Sequence, residues 1–573
     1  MLLQGSLNVL LTVSLATASQ TSWGISSLNH SVDGRLRVNE PFARPCFSKY
    51  NGQSVNRDEA ACAERKANYK LPSYRSQFSS GYMYDQSAIC ASDATSQSKC
   101  LLDVNDVNDT AAYDGADCRQ GNLPAYYLDV QGAGDISKAF KHAHNHGIEL
   151  AVKNSGHSFM EDSTGKDKVA LWTANLKKLV HHDTFVPQGC SSTLEFRAIT
   201  TGAGVTCGEA FEFAEKENST ILCAYASTVG LSGGWVQNGG HSVLSNTLGL
   251  GADRVLQYTV VTPDGKLRVA NKCKNADLFW ALRGGGGGTF GVVVDSTHLV
   301  ENRIPLSVAS IGFPSKDNDT VYGFLELLFD TAVDLAKDGW GGHIYGNSIV
   351  YVTPKLTSKE AATASMSKIK AFAISHGGSA NISTAPSWYK FYNDYVLNGS
   401  FKVGGLSFTS TRLIPVNVHM DEKLRKNFKA YMRDFVNEIG LPYVPVDSPY
   451  LYKTAKGETS VHPVWYSSLW EWGFPTKWNW NSTIAERLDV AKTMNERNRR
   501  MSEASPGGAT YKNEATPFAK EWQTTFWGEN YEKLLKIKNK YDPRRKLKCF
   551  KCVGWTDADT AQSCYKAFDG IGL

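Results

Sequence analysis

The sequence lacks several features that would place it in a simple class. Beyond the N-terminus it has no apolar run long enough to span a bilayer, so we expect no transmembrane helix. Its formal net charge of +5 over 573 residues is small, and its lysines and arginines do not gather into a basic face. We therefore expect neither a nucleic-acid partner nor a membrane partner.

Common nucleotide-binding and hydrolase motifs are missing as well. Gly202-Ala203-Gly204 is not followed by the third glycine of a dinucleotide fingerprint, and the sequence contains no P-loop. His241-Ser242 does not belong to a G-x-S-x-G elbow, which argues against a serine hydrolase.

Two patterns look like metal sites, and we expect neither to be one. His142, His144 and His146 stand at i, i+2 and i+4 of a predicted helix, so they do not share one face. Cys549 and Cys552 form a C-x-x-C pair, but no second ligand pair follows it. A zinc or redox role for this pair is the alternative to a disulfide.

The N-terminus and the cysteines indicate export. The apolar stretch 9–16 ends in Ala16-Thr17-Ala18, which fits a cleavage site, although no lysine or arginine precedes it. It predicts a signal peptide over 1–18 and a mature chain that begins near Ser19. The twelve cysteines predict disulfides, whose pairing the sequence leaves open. Acceptor sequons for N-linked glycan occur at Asn29, Asn108, Asn218, Asn318, Asn381, Asn398 and Asn481.

Composition divides the mature chain into four parts. Residues 19–120 are polar and Cys-rich, and we interpret them as an N-terminal extension. Residues 121–302 alternate strand and helix signals. Residues 303–505 mix strands and helices without glycine-rich loops, which is typical of a separate α+β domain. Residues 506–573 form an aromatic C-terminal segment with one helix.

The clearest local pattern is a β-α-β unit over 126–152. Asp135 is the expected N-cap of its helix, and Gly147 is the expected end. Similar reasoning predicts strands over 194–200, 255–262, 343–352 and 406–413, and helices over 208–216, 321–336, 358–376, 423–439 and 530–541.

Three glycine-rich segments lie within 121–302. They are 154–159, 228–241 and 283–291. Glycines let a ligand approach the backbone closely, and their N–H groups can cradle phosphate. Any one segment could be a tight turn, but three in this order favour a phosphate-bearing ligand.

These segments resemble those of one enzyme family. The stretch 152–158 resembles the cofactor-attachment loop of berberine bridge enzyme-like FAD oxidoreductases, in the vanillyl-alcohol oxidase superfamily. The stretch 233–242 resembles their second flavin loop, and 283–293 resembles the end of the first part of their FAD domain. The stretch 511–543 resembles their C-terminal signature. The stretch 172–176 resembles the fungal secreted branch that includes isoamyl alcohol oxidase-like proteins.

The resemblance implies an α+β protein with a two-part FAD-binding domain of the p-cresol methylhydroxylase (PCMH) type. Residues 121–302 and 506–573 form its two parts, and 303–505 form an inserted substrate domain. It also implies FAD bonded covalently to His157, since a neutral imidazole is a nucleophile near neutral pH. The cofactor contacts implied by the matched motifs are His157, Asn154, Ser155, Gly156, Ser158, Thr228, Gly230, Gly233, Gly234, His241, Val293 and Asn513.

The sequence departs from the family pattern at one position. Relatives with two covalent links carry Cys-x-Thr-Val-Gly, whereas this chain reads Ala226-Ser227-Thr228-Val229-Gly230. Cys223 lies three residues too early to replace that cysteine. We therefore expect a single link, through His157. In the family, the position of Val229 adjoins the flavin carbon that meets oxygen, and a small β-branched residue there is typical of oxidases.

The expected activity is that of a secreted oxidase. It would transfer hydride from an alcohol, sugar or secondary metabolite to FAD and then pass electrons to O2, giving H2O2. Tyr511 is the leading candidate for the base, with Tyr345, Tyr351 and His462 as others. The alternatives are a flavin-carrying binding protein without efficient turnover and a dehydrogenase that uses another acceptor.

Overall fold

The computed structural model describes residues 24–93, 99–315, 317–397, 402–569 and 571. The predicted signal peptide, the mature start at Ser19 and the sequon at Asn398 lie outside these residues. Within the described parts of the chain, no helix has both the length and the apolar character needed to cross a bilayer.

The first sheet has four strands and carries the predicted β-α-β unit. Its strand order is Leu36–Val38, Tyr126–Asp129, Lys168–Trp172, Glu149–Lys153. The last three strands are parallel, and Leu36–Val38 pairs antiparallel at the edge. The N-terminal extension therefore supplies a strand to this sheet. Its buried Leu28 and Val32 join the same apolar core as Leu128 and Leu150.

The helix of this unit spans Ala133–His146 and corrects one prediction. Its N-cap is Gly132, and Asp135 lies in the first turn. The Asp135 carboxylate accepts hydrogen bonds from the Arg35 side chain at 2.7 Å and from the Gln131 backbone N–H at 2.9 Å. The Asp135 side chain, which was expected to cap the helix, therefore forms an ion pair with Arg35 instead. Gly147 ends the helix as predicted, with a left-handed φ of 68°.

The second sheet has five antiparallel strands. Their order is Leu267–Asn271, Val255–Val261, Val292–Leu299, Phe196–Gly202, Leu179–Phe185. Helices Cys207–Lys216, Ser245–Leu248 and Ala276–Leu282 accompany it, as does the π-helical segment Leu231–Trp235. In the first of these helices, Thr206 and Glu209 form a capping box, which satisfies two free N–H groups.

The third sheet lies in the predicted substrate domain. Its strand order is Ser379–Ala385, Leu306–Gly312, Ser348–Thr353, Gly341–Ile344, Val444–Val446. A separate antiparallel pair consists of Ser407–Pro415 and Ser468–Lys477. The helices of this region are Asn318–Lys337, Lys359–Ser365, Ser367–Ser375, Trp388–Phe391, Val416–Met420, Glu422–Glu438 and Ile484–Ala504. The mixture of helices and sheets confirms the α+β fold class.

The C-terminal segment packs back onto the first two sheets. Its helices are Trp522–Trp527, Tyr531–Tyr541 and Asp557–Ala561. The buried Lys538 ammonium donates to the carbonyl oxygens of Thr289 and Leu547 at 2.7 and 2.8 Å, and it pairs with Asp542 at 2.7 Å. The Trp527 indole N–H donates to the Gly284 carbonyl oxygen at 2.9 Å. These bonds fasten the C-terminal signature to the third glycine-rich segment.

All twelve cysteines form disulfides, which confirms that prediction. The pairs are Cys46–Cys62, Cys90–Cys564, Cys100–Cys118, Cys190–Cys273, Cys207–Cys223 and Cys549–Cys552. The C-x-x-C pair is thus a disulfide in this structure. The second bond joins the N-terminal extension to the C-terminal segment.

The described sequons differ in exposure. Asn29 is half-buried, whereas the remaining five are exposed: Asn108, Asn218, Asn318, Asn381 and Asn481. These five side chains are therefore open to a modifying enzyme.

Candidate active site

One cavity of about 470 Å³ brings the predicted site residues together. It lies where the three glycine-rich segments meet the strand Gly341–Ile344, the strand Ser407–Pro415 and the C-terminal segment. Of the predicted residues, those on its wall are Asn154, Ser155, Gly156, His157, Ser158, Val229, Gly230, Gly233, Gly234, His241, Val293, Tyr511 and Asn513. The remaining one, Thr228, contacts the cavity-lining His157.

The first glycine-rich segment is anchored by Asn154. Its carboxamide nitrogen donates to the Ala203 carbonyl oxygen and, at 3.2 Å, to the Thr173 hydroxyl. Gly156 follows with a left-handed φ of 79°, a conformation that favours glycine. This turn directs the next residue, His157, toward the cavity.

The second segment requires glycine because Asn154 lies against it. A Cβ atom on Gly230 would stand 2.0 Å from the Asn154 Oδ1, and one on Gly287 would stand 2.9 Å from the Gly234 Cα. A Cβ on Gly234 would instead meet nothing nearer than the Asn238 Nδ2 at 3.9 Å, so it would project into open space. The segments thus touch through glycines and leave backbone exposed to the cavity.

His157 is held as a neutral imidazole. Its Nε2 lies 2.7 Å from the Thr228 hydroxyl. Burial, together with the charge of the nearby Lys153, lowers the pKa of His157 to about 4. A neutral ring at pH 7 keeps a nitrogen lone pair, which is the form that a covalent attachment needs.

The Ala226–Gly230 stretch leaves no thiol at the cavity. Ala226 and Val229 both line it, and the Val229 N–H donates to the Ala226 carbonyl oxygen at 3.1 Å. Cys223 is bonded to Cys207 and is fully buried. No sulfur in this stretch is therefore free to form a second bond.

Asn513 joins the first two glycine-rich segments to the C-terminal signature. Its carboxamide nitrogen donates to the Tyr511 hydroxyl at 2.7 Å and to the Gly234 carbonyl oxygen at 3.2 Å. Its side-chain oxygen accepts from the Asn238 Nδ2 at 2.9 Å, and its carbonyl oxygen accepts from the Phe159 N–H at 3.0 Å.

Two further histidines that line the cavity carry different charges. The His241 Nδ1 contacts the Asp447 carboxylate, and its Nε2 lies 3.0 Å from a Glu514 oxygen. Burial alone disfavours a charged ring, but the two carboxylates outweigh it and raise the pKa of His241 well above its usual value. The pKa of His343 falls to about 3, because of burial and then the charge on His241.

The other candidate bases do not line this cavity. Tyr351 is buried in the strand Ser348–Thr353, and His462 precedes the turn 463–467. Tyr345 is 42% exposed, and its ring stacks beside His343. The structure adds residues to which the sequence assigned no role. Glu514, His343, Tyr225 and Tyr443 line the cavity, and Asp447 and Glu471 lie close to His241. Of these, Glu514 lies inside a matched motif and could have been singled out.

The cavity fits FAD on its own chemistry. Glycine backbone is exposed where a dinucleotide must approach closely, and a neutral imidazole stands on the wall. Aromatic rings, including the stacked pair Tyr84 and Phe159, provide flat surfaces nearby. His157, Asn154, Gly234 and Asn513 are the residues placed to hold the cofactor.

Comparisons with known proteins agree with this interpretation. A family model described as an FAD-binding domain matches residues 124–271, and one described as berberine and berberine like matches 510–547. The chain is 38% identical to the FAD-linked oxidoreductase ffsJ of Aspergillus flavipes, over 94% of this chain and 93% of that protein.

Solved structures show the same fold. The VAO-type flavoprotein MtVAO615 from Myceliophthora thermophila C1 superposes with a TM-score of 0.77 at 27% identity, covering 93% of this chain and 95% of its own. Glucooligosaccharide oxidase from Acremonium strictum, described with a 6-S-cysteinyl, 8α-N1-histidyl FAD, gives a TM-score of 0.59 at 20% identity, covering 75% and 92%.

Fold and site together define an FAD-binding flavoprotein of the two-part PCMH type. The chain belongs to the berberine bridge enzyme-like FAD-linked oxidoreductases of the vanillyl-alcohol oxidase superfamily. It is an oxidoreductase, and the family and fold class expected from the sequence are confirmed.

Proposed function

We propose that the protein is a secreted oxidase that carries FAD through one covalent bond, at His157, and oxidises a hydroxyl-bearing small molecule with O2. The observation that carries the proposal is the neutral His157 ring on the wall of a glycine-lined cavity. Bound FAD supplies the hydride acceptor and, on reoxidation by O2, hydrogen peroxide.

The attachment atom is Nδ1 of His157. The Thr228 hydroxyl lies 2.7 Å from Nε2 of His157. When Nε2 carries the proton and donates it to this hydroxyl, the lone pair of the neutral ring is on Nδ1 and is available for the bond to FAD. Ala226 and the Cys207–Cys223 disulfide support a single bond, since neither offers a thiolate.

Glu514 is the proton acceptor that the geometry favours. Its carboxylate lines the cavity and is held by the His241 ring at 3.0 Å. Tyr511 is less suited, because its hydroxyl donates to the Trp235 carbonyl oxygen at 3.3 Å. Burial and then the charge of Glu514 also raise the pKa of Tyr511 well above its usual value, which keeps the phenol protonated. We therefore assign the base to Glu514 and a hydrogen-bonding role to Tyr511.

Val229 supports O2 as the acceptor. It is half-buried on the cavity wall, where its short side chain leaves more room than leucine would. The alternative, a dehydrogenase with another acceptor, predicts slow reoxidation in air.

The cavity also indicates the kind of substrate. The rings of Tyr225 and His343 pack with 4.6 Å between their centroids and a tilt of 32°, and Tyr443 also lines the wall. Such surfaces favour a ring-bearing alcohol, whether a sugar or a secondary metabolite. Six disulfides and five exposed sequons support secretion, because disulfides persist in oxidising compartments.

A peroxide-coupled screen of alcohols, oligosaccharides and phenolic metabolites tests the function. We expect at least one ring-bearing alcohol to bleach the flavin without oxygen and to yield peroxide in air. A yellow protein that no such compound bleaches would favour a flavin-carrying binding protein instead. The screen should include Glu514→Gln as a variant in which bleaching is slowed.

A further inference from the structure

Two buried carboxylates lie close to His241. Asp447 follows the strand Val444–Val446 and is 1% exposed, and Glu471 lies within the strand Ser468–Lys477 and is fully buried. Neither lines the cavity. Together with His241 they form a cluster, and the proposed function, which uses His241 to hold Glu514, gives the two acids no role.

The Glu471 carboxylate lacks a donor. Among the described residues, none donates a hydrogen bond to either of its oxygens. The Asp447 carboxylate contacts the His241 Nδ1 and has no other partner among these residues. Thr411 lies close to Glu471, but its hydroxyl donates to the Glu514 carbonyl oxygen at 3.0 Å. Buried acceptors without donors are costly, so this cluster calls for a cation.

The His241 ring is oriented as in a metal site. Its Nε2 is 3.0 Å from the Glu514 carboxylate, while its Nδ1 contacts the Asp447 carboxylate. Metal-binding histidines commonly donate their second ring N–H to a carboxylate in this way. One nitrogen and one oxygen from each acid lie within 4.8 Å of one another.

We propose that His241, Asp447 and Glu471 bind a divalent transition-metal ion, with Zn²⁺ as the best fit to one imidazole and two carboxylates. No metal site is expected from the sequence, and these three residues lie far apart in the chain and form no motif. Since neither acid lines the cavity, the role of the ion is to position His241 and, through it, Glu514.

Elemental analysis of the tag-free holoenzyme, purified without chelators, tests the proposal. We expect about one zinc-class ion per chain. Glu471→Gln and Asp447→Asn should lower the ion content at least tenfold, while the exposed Glu496→Gln should leave it unchanged. Flavin absorbance of each variant checks that the fold and the cofactor survive, so a failed oxidase proposal cannot be mistaken for a failed metal site.

If the variants do not fold, titration of the wild-type protein with Zn²⁺ still tests the proposal. Chelator-treated holoenzyme should bind Zn²⁺ at one site by calorimetry, with a higher Tm when zinc is restored. A wild type that contains no metal and binds no Zn²⁺ would overturn the proposal and leave protons as the occupants. An ion content that Glu471→Gln does not change would overturn it as well.

Discussion

The backbone N–H of Val229 donates to the carbonyl oxygen of Ala226 at 3.1 Å, and both side chains line the candidate flavin cavity. One short turn therefore places Ala226, which stands where some relatives have a second flavin-linked cysteine, close to Val229, which is proposed to leave room for oxygen. The single flavin link and the reaction with oxygen can be tested separately.

Val229→Leu should slow reoxidation of the reduced enzyme by about tenfold, a barrier change of about 1.4 kcal/mol. Interiors have few voids larger than a water molecule, so one added methylene is enough to close a small path. Stopped-flow mixing with oxygenated buffer measures the rate, and anaerobic reduction by substrate is the internal control. Wild-type reoxidation that is already slow, or an unchanged leucine variant, would count against O2 as the acceptor.

Glu514→Gln should lower the rate of flavin reduction by substrate about 10²- to 10⁴-fold, the usual contribution of a general base. The substitution keeps the shape of the side chain but removes its ability to accept a proton. Anaerobic stopped-flow measures the effect, and covalent flavin content should not change. Tyr511→Phe is the comparison: a larger loss there than in Glu514→Gln would return the base role to the tyrosine.

Local patterns predicted most elements to within a few residues. The helix expected over 208–216 is Cys207–Lys216, and the strand expected over 255–262 is Val255–Val261. The strand expected over 343–352 is instead a hairpin, because Gly346 turns the chain with a φ of 76°. The helix expected over 358–376 breaks at Met366. Apolar periodicity continues through both sites and does not reveal such interruptions.

The candidate site was likewise only partly predictable from the sequence. Segments that belong to local motifs, such as the turn at Gly156, could be found there. Asp447 and Glu471 could not, because single acids in apolar or aromatic stretches carry no motif. Only the packing of the strands that hold them brings both acids to His241. The pairing of the cysteines could not be predicted either, because it too depends on which distant residues the fold brings together.

The Cys90–Cys564 bond should contribute more stability than Cys46–Cys62. The first spans 474 residues and the second 16, and longer loops lose more entropy in the unfolded chain. Removing the long bond with serines should cost about 3 kcal/mol more than removing the short one. Denaturant unfolding of the two double variants measures the difference. Equal losses would show that unfolded-state entropy does not govern these bonds.

The protein should lose stability as pH falls below about 6.5, the unperturbed pKa of histidine. Burial lowers the pKa of His419 to about 3, so the unfolded chain takes up a proton there before the folded chain does. This one residue makes unfolding easier by up to about 1.4 kcal/mol per pH unit between the two pKa values. His419→Phe should therefore show a smaller fall in Tm between about pH 7 and about pH 4.5.

The exposed His376 provides the control for that experiment. His376→Phe should keep the wild-type dependence of Tm on pH. If both variants lose stability in parallel with the wild type, burial of His419 is not a source of the acid sensitivity.

The most direct test of the account is peptide mass spectrometry of the acid-precipitated protein. We predict one FAD on the peptide that contains His157 and none on the peptide that contains Ala226, with His157→Ala releasing all of its flavin. Flavin in the supernatant of the wild type, together with an unmodified His157 peptide, would contradict the central claim.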